Sequence, residues 1–282
     1  MSIALRVEEA LGLSVKNVTS LSGGCVADVY RLALQDGDAV VAKSGNKNSG
    51  LALEGYMLDY LATHTDLPIP KVHYCEDGLL IMSSLACAGS LTNVSQVRAA
   101  DLIAGLHDLS ADSFGFEVDT VIGGLHQPNP KTPTWIDFFR ESRLLYMARE
   151  ALKTERLSPH TVARIEEFSA TLDSYLLEPA APSLIHGDLW GGNILCQDDE
   201  VTGFIDPAIY FAHAEIELAF GTLFSTFNQT FFRRYQEHRS IAPGFFEERL
   251  AIYNLYPLLV HVRLFGGHYV SQVEHTLARF GY

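Results

Sequence analysis

Three polar side chains in the second half of the sequence have types and a spacing that could support chemistry. Asp188 lies in a Gly-rich stretch, Asn193 follows five positions later, and Asp206 comes after two further apolar runs. An amide oxygen and a carboxylate are hard oxygen ligands of the kind that Mg²⁺ takes when nucleotide phosphates also bind it. A separate carboxylate could accept the proton of an attacking hydroxyl. The pattern predicts phosphoryl transfer, with Asp188 as catalytic base and Asn193 and Asp206 as metal ligands.

The apolar runs around these residues predict how they come together. Residues 194–196 and 201–205 read as two short strands separated by a polar turn. A hairpin of these strands would place Asn193 and Asp206 side by side at one end. The alternative is a plain loop in which Asp and Asn only cap turns. The two spacings, taken with the flanking strands, favour an active site.

A second group of candidate residues lies in the first sixty positions and suits a nucleotide. Gly23 and Gly24 separate two strand-like runs, and backbone N–H groups in such a turn can lie over phosphates. Lys43 ends a third strand-like run, V-V-A-K, a position from which a lysine can pair with phosphates. Glu54 lies about one turn into the helical pattern of 49–63, where a carboxylate could hold that lysine.

Each of these nucleotide-site candidates also has a plainer interpretation. Two glycines suit an ordinary hairpin, and a single lysine is most often solvated at the surface. Glu54 could be an ordinary carboxylate on a helix surface, and Asp59 is a weaker competitor for the same role. The position of Lys43 at the end of a third strand favours the functional interpretation.

The remaining patterns predict an α+β fold of two lobes. Residues 1–82 are expected to form a small N-lobe with a five-stranded antiparallel sheet and one main helix. Residues 83–90 read as a hinge, and 91–282 as a larger, mostly helical C-lobe. Segment 111–133 is rich in Gly, Pro and Asn and is predicted as a functional or mobile loop. Residues 209–235 are predicted to be largely helical.

Composition excludes several classes of protein. The 282 residues carry a formal net charge of −14, which argues against a nucleic-acid partner because phosphate backbones need a basic surface. No apolar run is long enough for a membrane span, and the N-terminus lacks the apolar core of a signal peptide. The four cysteines form no C-x-x-C pair, which favours a reducing compartment. A cytoplasmic protein with no membrane partner is expected.

Longer motifs extend the pattern from about residue 20 to about residue 265. They are H-G-D-L-W-G-G-N at 186–193, I-D-P-A-I-Y at 205–210, A-E-I-E-L-A-F at 214–220, Gly23-Gly24-Cys25, Leu106-His107, Phe114-Gly115-Phe116, Gln127-Pro128-Asn129 and Glu141-Ser142-Arg143-Leu144. Together they resemble the fructosamine kinase family, also called ketosamine 3-kinases. That family resembles the aminoglycoside phosphotransferase and choline kinase group, which shares the protein-kinase fold.

The resemblance implies an ATP-dependent kinase that phosphorylates the sugar 3-hydroxyl of a ketosamine, free or protein-bound, with ATP and Mg²⁺ as cofactors. The unstable 3-phosphate would then decompose and remove the glycation. The family roles fall on Asp188 as base, Asn193 and Asp206 as metal ligands, Lys43 and Glu54 as the ion pair, and Ser83, Ser84 and Leu85 as the hinge that meets adenine. A plain loop is the alternative for the hinge. The chain departs from the family at Gly191, where a Ser is usual, and at Glu217, where an Asp is usual.

A ketosamine acceptor would need an aromatic wall for its sugar and carboxylates for its cationic amine. Trp190 and Tyr210 are candidates for the wall, and Glu215 and Glu217 for the carboxylates. Trp190 could equally be buried under the loop. The alternative acceptors are another amino alcohol or an aminoglycoside, and the rival from another class is a catalytically silent pseudokinase that acts as a binding module.

Overall fold

The computed structural model describes residues 1–21 and 27–282 of the chain. The predicted phosphate-loop residues Gly23 and Gly24, with Cys25, lie outside the described residues. Within the described part, no helix combines the length and the apolar composition needed to cross a membrane.

Among its described residues, the N-terminal part contains the predicted five-stranded antiparallel sheet and main helix, with a shorter helix at its start. Its elements are α1 (Ile3–Leu11), β1 (Val15–Leu21), β2 (Asp28–Leu34), β3 (Ala39–Ser44), α2 (Leu51–His64), β4 (Val72–Glu76) and β5 (Leu79–Ser83). The strand order is β1-β2-β3-β5-β4. This order places β3 at the centre, where both faces of the strand are covered.

Alternation along β3 divides its side chains between the two helices. Val40 and Ala42 pack with Val7 of α1 in one apolar cluster, and Val41 packs with Leu51 of α2 in another. Because successive side chains of a strand point to opposite faces, Lys43 points to the α2 side with Val41.

The C-terminal part is mostly helical and also contains short strands. Its helices are α3 (Asn93–Asp108), α4 (Trp135–Phe138), α5 (Tyr146–Lys153), α6 (Pro159–Ser169), α7 (Glu215–Leu223), α8 (Gln229–His238), α9 (Leu250–Phe265) and α10 (His268–Arg279), with π-helical turns at Phe139–Leu145 and Phe245–Arg249. Its strands are β6 (Thr120–Ile122), β7 (Leu125–Gln127), β8 (Ser183–Ile185), β9 (Ile194–Gln197), β10 (Glu200–Phe204) and β11 (Tyr210–Ala212). The sheet-bearing part and the helical part together form the two lobes of a protein-kinase-like α+β fold. The lobe boundaries at 82 and 91 stay a prediction.

Two of the sequence predictions for this part are wrong in detail. Residues 209–235 are largely helical through α7 and α8, as predicted, but the stretch begins with β11, which pairs antiparallel with β8 through Tyr210 opposite Ile185. Segment 111–133 is not a simple loop, because it contains the hairpin of β6 and β7. Both differences involve three-residue strands, which are too short to show a period of two in the sequence.

Candidate active site

Lys43 lies at the centre of an ion-pair cluster between the sheet and the C-terminal part. Its Nζ is 2.6 Å from Glu54 Oε1 and also contacts Asp206 Oδ1. Burial alone would lower the pKa of Lys43, but the two carboxylates outweigh burial and raise that pKa above its ordinary value. Lys43 therefore stays charged, and it joins β3, α2 and the end of β10 at one point.

Asp188 and Asn193 are linked through their side chains. Asn193 Nδ2 donates to the backbone oxygen of Asp188 at 2.8 Å and to Asp188 Oδ2 at 3.1 Å. Burial raises the pKa of Asp188 to about 7, and the nearby Asp206 carboxylate adds to the rise. Because the Asn193 amino group faces Asp188, its amide oxygen faces away from that residue.

The turn that presents Asp188 requires a glycine before it. Gly187 has a φ of +85°, and a Cβ on Gly187 would lie 2.0 Å from the backbone oxygen of Ala208. The N–H of Ala208 in turn donates to the backbone oxygen of His186 at 2.8 Å. This close backbone approach leaves no room for a side chain, so the glycine of H-G-D is a geometric requirement of the loop.

The hairpin of β9 and β10 brings Asp206 to the same place. The N–H of Ile205 donates to the backbone oxygen of Asn193 at 3.0 Å, which fixes the two ends of the hairpin beside each other. Asp206 itself has a φ of +55°, an uncommon conformation for a residue with a side chain. Within the described ranges 1–21 and 27–282, no three His, Cys, Asp or Glu side chains form a ready-made metal site.

Glu217 is not a substrate-facing carboxylate, contrary to the sequence prediction. It is buried, and its oxygens accept hydrogen bonds from the backbone N–H of Gly187 at 2.7 Å and of His186 at 3.2 Å. Its Oε2 is also 3.0 Å from His107 Nε2, and His107 Nδ1 is 2.8 Å from Tyr235 Oη. Burial alone would raise the pKa of Glu217, but these hydrogen bonds outweigh it and lower the pKa. Glu217 therefore anchors the backbone of the loop 186–193, called the catalytic loop after its predicted role.

Glu215 and Tyr210 are also interior residues, so their predicted substrate contacts are wrong. Glu215 forms a two-point ion pair with Arg249, with both nitrogen–oxygen distances at 2.7 Å. Tyr210 is 1% exposed, and the guanidinium of Arg143 lies 3.8 Å from the centre of its ring. Neither side chain has a free surface toward an acceptor.

Trp190 differs from these residues because 41% of it is exposed. Its ring meets Phe224 edge to face at 6.0 Å between centroids. The neighbouring N–H of Gly191 donates to Thr226 Oγ1 at 2.8 Å. The turn between α7 and α8 thus supports the distal half of the catalytic loop and leaves one face of Trp190 accessible.

The predicted hinge follows β5 directly. The N–H of Ser83 donates to Lys71 O at 2.9 Å and that of Ser84 to Ala39 O at 3.2 Å, so neither N–H is available to a base. Leu85 is half-buried beside Gly203, where a Cβ would lie 2.2 Å from Leu85 Cδ1. The adenine contact of the hinge stays a prediction.

The structure therefore brings five predicted site residues together in one cluster. Three other predicted residues, Tyr210, Glu215 and Glu217, are buried in the interior. The five are Lys43, Glu54, Asp188, Asn193 and Asp206. Sequence reasoning missed the supporting partners His107, Arg249 and Thr226. Of these three residues, only His107 carries a sequence signal, because Leu106-His107 is one of the motifs that resemble the fructosamine kinase family.

This fold and this arrangement of residues define the class of kinase-like phosphotransferases. The family model for fructosamine kinase matches residues 1–280, and the chain belongs to that family. It is 31% identical to a probable ketoamine kinase of Synechocystis sp. over 98% of this chain and 95% of the relative. It is 28% identical to the chloroplastic protein-ribulosamine 3-kinase of Arabidopsis thaliana over 93% of this chain and 82% of the relative.

Solved structures agree with this family membership. A candidate fructosamine-3-kinase from Thermobifida fusca superimposes with a TM-score of 0.86 at 32% identity, covering 99% of each chain. The aminoglycoside phosphotransferase APH(4)-Ia, in a complex with ADP and hygromycin B, gives a TM-score of 0.69 at 16% identity and covers 100% of both chains. The second likeness concerns the fold alone.

Proposed function

We propose that this protein is an ATP-dependent kinase that phosphorylates the sugar 3-hydroxyl of ketosamines, free or protein-bound. The observation that carries the proposal is the joint placement of Lys43, Glu54, Asp188, Asn193 and Asp206 in a member of the fructosamine kinase family. The relatives named for ketoamine and ribulosamine substrates support the acceptor class. The absence of a C-x-x-C pair in the sequence favours a reducing, cytoplasmic setting.

Lys43 is proposed to pair with the ATP phosphates. Its ammonium is buried and already paired with Glu54, so its position is fixed before the nucleotide binds. A preorganised charge in a site of low dielectric stabilises developing negative charge at little reorganisation cost. Its contact with Asp206 is expected to lengthen when phosphate oxygens enter.

The residues near Lys43 fit a Mg²⁺ ion held jointly with phosphates. The amide oxygen of Asn193 faces away from Asp188, and the carboxylate of Asp206 is 40% exposed, so both have oxygen available. Two protein oxygens are the usual share for Mg²⁺ at a nucleotide, which keeps waters and phosphate oxygens as its other ligands. When bound, the ion would neutralise charge on the phosphates.

Asp188 is proposed to orient the sugar hydroxyl and accept its proton. A pKa near the working pH suits a general base, and burial raises the pKa of Asp188 to about 7. Its hydrogen bond from Asn193 and the anchoring of the loop by Glu217 hold the carboxylate in one orientation. The reaction would then depend mainly on positioning of the hydroxyl.

Trp190 is the remaining candidate for the acceptor wall. Trp190 lies two residues after Asp188, its ring is exposed, and Phe224 packs edge to face with that ring. An aromatic face suits both a sugar ring and a cationic secondary amine. The carboxylate that would face the amine is not among the sequence candidates, because Glu215 and Glu217 are both buried and paired.

The proposal is tested by ADP release from MgATP against a panel of fructosamine and ribulosamine derivatives of lysine, aminoglycosides and choline. We expect turnover with the ketosamines alone, and loss of turnover in Lys43→Met. Turnover only with choline or aminoglycosides would assign the protein to a different acceptor class. Binding of MgATP with no turnover on any acceptor would identify a silent binding module.

A further inference from the structure

Helix α2 carries Glu54, yet it belongs to two cores at once. Leu51 and Leu58 pack on the sheet, whereas Met57 and Leu61 are fully buried in the large core of the C-terminal part. Any displacement of α2 from the sheet would separate Glu54 from Lys43. What the C-terminal part presents to this helix therefore bears directly on the ion pair.

The segment 114–130, here called the bracket, provides that contact. Tyr56 donates its hydroxyl to Glu117, and the ring of Tyr60 meets Phe116 edge to face at 4.9 Å between centroids. Phe116 is 5% exposed, so this is a buried aromatic contact and not a surface one. These contacts hold the middle of α2, where Tyr56 and Tyr60 follow Glu54 by two and six residues.

A second contact fixes the beginning of α2. Gly50, which precedes the helix with a φ of +75°, lies so close to strand β6 that a Cβ would be 3.2 Å from Val121 Cγ1. The bracket thus touches α2 at its start through Val121 and at its middle through Phe116. Two separate points define the orientation of a helix, whereas one would leave it free to pivot.

The base of the bracket is rigid because it is built on buried polar contacts. Arg143 is fully buried, and its guanidinium donates to Pro128 O at 2.7 Å and to Asn129 Oδ1 at 2.6 Å. Gln127 is also buried and accepts from the hydroxyl of Tyr256 at 2.7 Å. These residues account for sequence motifs that the phosphoryl-transfer site leaves unexplained.

The bracket is also connected to the catalytic loop. Gly115 and Phe211 exchange backbone hydrogen bonds of 3.0 and 2.9 Å, which attaches the bracket to β11. Strand β11 pairs with β8, and β8 leads directly into the catalytic loop. Gly115 has a φ of +95°, and a Cβ there would lie 2.4 Å from Pro130 O, so the attachment needs glycine.

We propose that the bracket is a positioning element that holds α2, and with it Glu54, in the orientation that pairs with Lys43. Phe116 and Glu117 are its contact residues at the middle of α2, where they meet Tyr60 and Tyr56. They touch neither nucleotide nor acceptor and act through the ion pair. The proposal rests on the proposed nucleotide site, and it means that the Lys43–Glu54 pair is assembled by the fold itself before any ligand binds.

The test compares Tyr56→Phe, Glu117→Ala and the conservative Glu117→Gln. The matched control is Glu76→Ala, which removes an exposed carboxylate of β4 that lies 3.9 Å from Arg6 of α1 and has no contact with the bracket. Loosening α2 should accelerate amide hydrogen exchange across residues 51–64 while α3 and α9 keep their protection. Glu117→Gln should restore most of the protection, because its amide oxygen still accepts from Tyr56.

Kinetics provide a readout that a merely structural role would not change. We expect Tyr56→Phe and Glu117→Ala to raise the KM for ATP on the order of threefold to tenfold, with kcat at saturating ATP nearly unchanged. Saturating nucleotide should select the ion-paired state and so hide the defect. The KM for the acceptor should not move.

Three results would overturn the proposal. The first is unchanged amide hydrogen exchange of α2 in both Tyr56→Phe and Glu117→Ala. The second is equally accelerated exchange of α2 in Glu76→Ala, and the third is a kinetic change confined to the KM for the acceptor. The exchange measurement needs neither ATP nor acceptor, so it tests the bracket even if the proposed function fails. Failure of the wild-type protein to bind MgATP in calorimetry would count against the proposed function alone.

Discussion

Two aspartates lie within the same cluster but contact different partners. Asp188 receives a hydrogen bond from Asn193, whereas Asp206 contacts Lys43. Asp188→Asn should therefore keep MgATP binding and lose about 10²–10⁴-fold in turnover, the usual share of a positioned base. Asp206→Asn should instead weaken nucleotide binding that depends on Mg²⁺. Calorimetry with MgATP and single-turnover kinetics check both expectations.

The reverse pattern would contradict these roles. If the Asp188 variant failed to bind MgATP while the Asp206 variant bound it normally, the assignment of base and metal ligand would have to be exchanged. Binding of ATP without Mg²⁺ is the control, because it should change little in Asp206→Asn.

Glu217 should affect catalysis although it is buried and its hydrogen bonds to the catalytic loop are only with the backbone. Glu217→Gln replaces one of its two accepting oxygens with an amino group, which must face a backbone N–H or His107. Hydrogen bonds to a charged acceptor contribute about 1.5–3 kcal/mol each, so we expect lower thermal stability and a kcat reduced roughly tenfold or more. The KM for ATP should stay near the wild-type value, since Lys43 and Glu54 are untouched.

The control for loss of stability is Leu218→Val. Leu218 is a buried neighbour of Glu217, but its side chain has no acceptor for a hydrogen bond from the loop backbone. An equal loss of stability in that variant with full kcat would support the specific role of Glu217. A Glu217→Gln protein that loses stability but keeps its kcat would show that the anchor does not serve catalysis.

For single residues, the sequence predicted which side chains come together, but it did not predict which side chains are buried. Asp188, Asn193 and Asp206 come together through one loop and one hairpin, so their spacing carries the information. The sequence predicts Glu215 and Glu217 as substrate contacts, but their partners, Arg249 and His107, are far away in the sequence and meet them only in the fold. A carboxylate has the same residue type whether it is exposed or paired inside, and only the fold distinguishes the two.

Among the elements, the N-terminal sheet was predictable because its strands are five to seven residues long. The short apolar run of Leu184 and Ile185 indicates β8, but β11 shows no period and was not predictable. Their pairing nevertheless decides the position of Tyr210, which follows Ile209 into the core and not the cleft. The bracket was predicted as a loop for the same reason.

The start of helix α7 should make stability depend on pH. His213 Nδ1 accepts the N–H of Glu215 at 3.1 Å, and burial, with a smaller effect of Arg249, lowers the pKa of His213 to about 3. The unfolded chain binds this proton near pH 6.5, so the contribution of His213 is complete above that pH and is lost as the pH falls toward 3. Between pH 7 and pH 5 we expect a loss of roughly 2 kcal/mol in the free energy of unfolding from this residue.

His213→Asn removes the titration and keeps a side-chain acceptor near the Glu215 N–H. Urea unfolding at pH 7 and pH 5 should therefore show a smaller pH-dependent loss in this variant than in the wild-type protein. An identical loss in the two proteins would mean that His213 is not the group that titrates.

At the scale of the whole molecule, the two parts meet at Lys43 and along α2. Lys43 on the sheet contacts Asp206 on a C-terminal hairpin, and Met57 of α2 is buried in the C-terminal core. The sequence predicted two lobes from the order of strands and helices, but it could not show that α2 belongs to both cores. Shared packing of this kind is a property of three-dimensional neighbours and leaves no trace in local periodicity.

The proposed acceptor is the sugar 3-hydroxyl of a ketosamine. Phosphorus NMR of products formed from MgATP with fructose- or ribulose-linked lysine, an aminoglycoside and choline at equal concentrations tests it most directly. We predict one new phosphate-ester signal, at the sugar 3-position, with the ketosamines and none with the other acceptors. A site built to hydrogen-bond its substrate can discriminate by roughly 10⁴–10⁵ in the strongest cases. Phosphocholine or a phosphorylated aminoglycoside, with no sugar 3-phosphate from any ketosamine, would contradict the assignment of the acceptor.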